Sequence, residues 1–231
     1  MSQTPIVLLH GLGSHPITFL PLELYLNGQG HKNTYAVSYD PNRQSIMEAV
    51  GEVTRKLIEK IDIDEEIIVI GQSMGGVIGN NLHRLGWKVK KAIYIGSPLH
   101  GARTIKTAKK WIPSIILNVF ESPAWNILEN KAREEEPPHD YHTISMGLNG
   151  ESDYFFEGSS GPEFMKNWDG KVWKDESMFS EDKHTHLEGE EHSLIFVKPR
   201  LWRLVHSLLP PLTSPSPSPH CMRGDEEGRL I

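Results

Sequence analysis

Residues 67–75 read Ile67-Ile68-Val69-Ile70-Gly71-Gln72-Ser73-Met74-Gly75. Four aliphatic residues without polar alternation mark a strand buried on both faces, as in a parallel sheet. A G-x-S-x-G pattern follows at once, and the stretch from Gly75 to Leu85 then reads as a helix. A serine between glycines on a strand-to-helix turn is a strong signal because of that context. The glycines have a steric purpose. The turn is so tight that side chains at 71 and 75 would meet neighbouring backbone, and the serine itself is strained. Such a turn lifts the Ser73 hydroxyl above the carboxyl ends of the strands. It also sets the Met74 amide at a helix N-terminus, where negative charge is stabilised.

The segments on either side repeat the strand–helix rhythm. Ile6-Val7-Leu8-Leu9 is an apolar strand ending at His10-Gly11, and Thr18 to Leu26 reads as a helix closed by Asn27-Gly28. Tyr35 to Tyr39 is a second strand. Ser45 with Glu48 forms a capping-box pattern before a helix from Ile46 to Ile61. Ala92-Ile93-Tyr94-Ile95 is a further strand. The alternation predicts an α/β fold: a mostly parallel central sheet of about six strands, flanked by helices and joined by right-handed crossovers. After Gly96 the rhythm breaks. Residues 100–138 hold no strand but carry Trp111, Ile112, Ile115, Ile116, Phe120, Trp125 and Leu128, too apolar for a simple linker, and read as a helical cap insert. Tyr141 to Met146 resumes a strand, residues 147–191 are mostly loop-like, and Pro199 to Leu209 is a terminal helix with proline in its first turn. The division expected is one domain over 1–209 and a low-complexity tail over 210–231 that cannot bury enough surface to order itself.

Composition narrows the function classes. The chain has 231 residues, 24 Lys plus Arg against 30 Asp plus Glu, and a net charge of −6. An acidic balance is a poor match to nucleic acid or an anionic membrane surface. Cys221 is the only cysteine, which excludes an intrachain disulfide framework and a cysteine zinc cluster. No apolar run approaches the ~18 residues of a membrane span. The first residues, Met-Ser-Gln-Thr-Pro, lack a basic n-region, so the reading is a cytoplasmic protein without a signal peptide. The oligomeric state is not legible.

A serine alcohol is a weak nucleophile and needs a base within hydrogen-bond reach and donors for the oxyanion it creates. His10-Gly11-Leu12-Gly13, at the end of the first strand, is the expected source of a second donor. The Leu12 amide would join that of Met74. His10 itself reads better as support beneath that loop than as a base, since the base should come from later in the chain.

With His10-Gly11-Leu12-Gly13, the Gly71–Gly75 turn and Gly96-Ser97-Pro98-Leu99-His100-Gly101 all in place, the chain resembles the α/β-hydrolase superfamily. Within it, the resemblance is to compact lipases and esterases that begin at the oxyanion strand, and it covers about residues 5–209. It implies the order Ser, then Asp or Glu, then His. His192, in a loop just before the terminal helix, matches the family's base position. His184 and His186 form an H-x-H assigned to the preceding strand, His206 lies in the terminal helix, and His15 and His100 arrive on the wrong loops. Asp169, in Asp169-Gly170-Lys171-Val172 with Ser177 beyond, is similar to the family's acid motif and lies 23 residues before His192. Asp153 is the alternative acid, by its position after the Tyr141–Met146 strand. The resemblance implies a triad of Ser73, Asp169 and His192, an oxyanion hole from Leu12 and Met74, and hydrolysis of an ester or lipid. Acyl transfer or lipid deacylation by the same triad, and a non-catalytic binding module, are the competing readings. Pocket candidates are His10, Gly11, Gln72, Trp111, Ile115 and Phe120. No metal or organic cofactor is implied, and the cap is the expected point of transient lipid-interface contact.

Overall fold

The computed structural model describes residues 3–40, 43–102, 134–147, 172, 174–190 and 197–212. Among these, six strands form one sheet: β1 (Ile6–Leu9), β2 (Thr34–Val37), β3 (Glu66–Gln72), β4 (Lys88–Ile95), β5 (Asp140–Gly147) and β6 (His184–Glu188). Every pairing is parallel and the order is β2-β1-β3-β4-β5-β6. Four helices accompany them: α1 (Leu20–Gly28), α2 (Ile46–Leu57), α3 (Met74–Asn81) and α4 (Pro199–Leu208). Among the described residues no helix is long and apolar enough to cross a membrane.

The two faces of the sheet build two cores. Val7, Leu9, Val69, Ala92 and Tyr94 meet Val50 and Val53 of α2 and Val77 of α3 on one side. Ile6, Leu8, Ile70, Ile93 and Ile144 meet Leu22 and Leu26 of α1 and Leu201 and Val205 of α4 on the other. Both flanks of β3 are therefore dry, which explains its unbroken run of aliphatic residues. At ~25 cal/mol per Å², each such buried side chain contributes roughly 1.5–3 kcal/mol.

Local signals account for most boundaries. The Ser45–Glu48 capping box is present in both directions, at 3.3 Å and 2.7 Å, and starts α2 at Ile46. α2 is shorter than its periodicity predicts, ending at Leu57, and Ile61 is buried in the turn that follows. β4 begins four residues earlier than Ala92. Its entry alternates exposed Lys88 and Lys90 with buried Val89, and the lysines pair with Asp64 at 2.7 Å and Glu66 at 2.8 Å. The charged residues conceal the strand from a hydrophobicity reading.

The sheet order has one consequence for the site. From β1 the chain crosses to β2 on one side, then returns to place β3 on the other side of β1. The carboxyl ends of β1 and β3 therefore flank a topological switch point, where crevices form in open α/β sheets. Leu9 pairs with Gly71. The loop that starts at His10 and the turn that carries Ser73 thus leave the sheet side by side.

Candidate functional site

Ser73 has φ +53 and ψ −126, the one non-glycine residue at positive φ among the described residues. That region costs of order 1–3 kcal/mol and persists only where the surroundings enforce it. Here they do. A Cβ on Gly71 would lie 2.5 Å from the Gly75 carbonyl oxygen and from Gly76 Cα, and one on Gly75 would lie 2.0 Å from the Leu9 carbonyl oxygen. Both distances are below any real contact, so α3 is clamped onto β1 and β3 with no room for a methyl group. The Ser73 amide is held by the Ile95 carbonyl at 2.8 Å.

The hydroxyl is not spent on capping the helix. Ser73 stands at the N-cap of α3, where a serine side chain ordinarily accepts from the first turn. It makes no such bond. Ser73 is half-buried, neither sealed in the core nor fully in water.

The loop after β1 comes up against it. A Cβ on Gly11 would sit 2.9 Å from Ser73 Cβ and 2.6 Å from Gln72 Oε1. Gly13, third in a turn closed by the Ser14 amide on the Gly11 carbonyl at 3.2 Å, has φ +67, which glycine adopts without penalty. Among the described residues, no loop or turn hydrogen bond uses the amide of Leu12 or of Met74. His10 is buried and stacked on Tyr39, and Gln72 is buried beneath the turn. Gly11 therefore lies against both Gln72 and Ser73, and Leu12 follows it in the same loop. Asp169, Asp153, His192, Trp111, Ile115 and Phe120 lie outside the described residues.

A polar ladder joins β5 to β6, a feature the sequence reading passed over as ordinary strand positions. Thr143 Oγ1 donates to the Lys183 carbonyl at 3.2 Å, so it accepts from His184 Nδ1–H at 2.7 Å. His184 Nε2 then accepts from the Ser145 hydroxyl at 2.8 Å, and Ser145 Oγ accepts from His186 Nδ1–H at 2.7 Å. One proton per hydroxyl fixes this order. The H-x-H spacing carried the signal, since i and i+2 share one strand face. Alongside it, His100 joins its amide to the Glu176 carbonyl at 3.0 Å and its Nε2 to the Met178 carbonyl at 2.8 Å. Glu134 accepts from Asn80 and Asn81 of α3 at 3.0 Å and 2.8 Å. Among the described residues no group of three or more acidic, His or Cys side chains is placed to hold a metal ion.

Burial keeps His184 neutral, lowering its pKa to about 4, with Lys174, His186 and His142 adding repulsion. Burial does the same to His139, also to about 4, with His83 adding to it and Asp140 opposing. Unfolded histidines titrate near 6.5. Between pH 6.5 and 4 the unfolded chain therefore binds more protons, and stability falls as pH falls. Both rings are partly exposed, so the expected loss is on the order of 1 kcal/mol each, or roughly 2–4 °C in Tm. In melting curves from pH 7 to 4, the double variant His139→Gln, His184→Gln should show a flatter Tm profile than wild type. An unchanged slope would remove these two groups from the account.

No protein-family model matches the chain, and no curated protein sequence matches it. Solved structures do. The mature form of Bacillus licheniformis lipase BlEst2 superposes with a TM-score of 0.64 at 18% identity, over 89% of this chain and 91% of that one. The esterase RhEst1 from Rhodococcus sp. ECU1013 gives 0.60 at 12% identity, over 88% and 89%. The metagenomic carboxyl esterase MGS0156 gives 0.59 at 13% identity, over 83% and 65%. At these identities the likeness concerns architecture, and with its parallel six-strand order and strained serine turn, the chain has the α/β-hydrolase fold.

Proposed function

We propose that this protein is a serine hydrolase of carboxylic esters, working through an acyl-enzyme. The observation that carries the reading is Ser73 itself: a serine at φ +53 whose hydroxyl declines to cap its own helix. Strain of this kind is kept where the side chain has another task. In the cycle, His192 takes the Ser73 proton as Oγ bonds to the ester carbonyl carbon. The carbonyl oxygen becomes an oxyanion and accepts from the Leu12 and Met74 amides. His192 then gives its proton to the leaving alcohol as the C–O bond breaks. Water, deprotonated by His192, attacks the acyl carbon, and Ser73 departs with the proton. Asp169 holds the imidazole in one tautomer and stabilises its cation; Asp153 is the alternative for that task. The 100–138 insert, with Trp111, Ile115 and Phe120, is the proposed acyl-side cover, which favours lipid-like or aryl and alkyl esters.

The direct test is labelling with a fluorophosphonate probe followed by peptide mapping. The expected adduct is on the peptide bearing Ser73. Failure to label beside a positive-control serine hydrolase would remove the proposal. A series of p-nitrophenyl esters from acetate to palmitate, with and without detergent interfaces, tests the cover. A flat preference for acetate in solution would count against a lipid substrate.

A further inference from the structure

His10 is an ionisable side chain one residue before Gly11, which packs on Ser73, and the proposed acyl transfer leaves it without a task. It is 1% exposed, and its ring lies flat on Tyr39, centroids 4.4 Å apart and planes 11° apart. Its Nδ1 is 3.0 Å from the Gly11 carbonyl oxygen. A carbonyl only accepts, so Nδ1 carries the proton. Burial holds the imidazole below its usual pKa, against the opposing pull of that same carbonyl. The ring is therefore neutral, with Nε2 bare. Nε2 is buried with no partner among the described residues. A base would need that nitrogen to reach a reacting proton, and nothing described lies within its reach. The ring is a donor with one fixed direction.

Two further donors hold the same loop. The Tyr39 hydroxyl donates to the His10 carbonyl, and the Ser14 amide donates to the Gly11 carbonyl. The Gly11 carbonyl thus takes hydrogen bonds from the His10 ring and from Ser14 together. Peptide planarity carries this constraint one residue on. In a trans unit the carbonyl of Gly11 and the N–H of Leu12 point in opposite directions, and the described residues include no cis bond. Fixing the carbonyl fixes the amide. Donors on the carbonyl also polarise the unit, which makes its N–H a stronger donor in turn.

We infer that His10 and Tyr39 are positioning residues that aim and polarise the Leu12 amide toward the oxyanion, His10 through its Nδ1–H bond to the Gly11 carbonyl and Tyr39 through the carbonyl before it. This rests on the serine hydrolase reading above. It gives the histidine of His10-Gly11 a task that does not depend on its acid–base chemistry.

Three variants test it, with p-nitrophenyl butyrate turnover and fluorophosphonate labelling as readouts. His10→Leu fills the space but removes the donor. His10→Asn puts an amide N–H where Nδ1–H stood. Tyr39→Phe removes only the hydroxyl and keeps the ring stack. Losing a whole oxyanion donor costs about 10²–10³ in kcat, so misaiming one of two should cost roughly 10- to 100-fold. His10→Leu should show that loss in kcat with KM within about threefold. His10→Asn should recover to within about fivefold of wild type, and Tyr39→Phe should lose about tenfold. A folded His10→Leu with wild-type kcat, or His10→Asn no better than His10→Leu, overturns the inference. If His10→Leu does not fold, wild-type kcat in Tyr39→Phe overturns it instead. Wild-type protein that neither labels nor hydrolyses the ester defeats both readings, whereas a labelled, active wild type with unaffected variants defeats this one alone.

Discussion

Ser73→Ala is expected to lower kcat for a p-nitrophenyl ester by about 10⁵- to 10⁶-fold, the scale seen when a triad nucleophile is removed. The change deletes one oxygen and keeps Cβ, so the turn is not rebuilt. The hydroxyl caps no helix turn, and its loss leaves no described donor stranded. The Ile95 carbonyl still holds the residue's amide. Tm should therefore stay within a few degrees while activity disappears. Residual turnover above the uncatalysed rate is expected, because the proposed oxyanion donors, the Leu12 and Met74 amides, remain. The paired readout of kcat and Tm matters. A loss of activity together with a large fall in Tm would mean that the serine serves the turn and not the chemistry. Retained activity would move the nucleophile elsewhere.

Asp169→Asn is expected to lower kcat about 10⁴-fold, with Asp153→Asn falling far less. The amide keeps the shape of the carboxylate but can present N–H to the imidazole, which selects the wrong tautomer and leaves the imidazolium without its counter-charge. KM should change little, since neither carboxylate is proposed to hold substrate. The two variants are best compared over a full pH profile. The reverse ranking would give the role to Asp153. Equal and small effects would mean that a different carboxylate orients the proposed base, His192.

The fold was legible where one physical cause acted alone. The unbroken Ile67–Ile70 run follows from a strand with helices on both faces. The Ser45–Glu48 pair announces α2 because each group satisfies the other's backbone. β4 was only half legible, since Lys88 and Lys90 point to solvent and find Asp64 and Glu66 across the chain. Each lysine and its partner stand 24 residues apart, beyond the reach of a strand-length pattern. The His184–Ser145–His186 ladder was missed for the same reason: its members are about 40 residues apart and meet only through the register of β5 with β6.

The serine turn divides in a similar way. Sequence alone determined that Ser73 sits between a buried strand and a helix, because glycine at 71 and 75 and apolar periodicity are local properties. It also set the loop of Gly11 and Leu12 at the end of the first strand. Tertiary structure decided that these two loops are neighbours, since that depends on β2 and β3 flanking β1 on opposite sides. It decided too that Tyr39, an unremarked strand-end residue, reaches back to the His10 carbonyl. Hydrogen bonds between distant segments depend on where the sheet places them, and chain spacing carries no record of that placement.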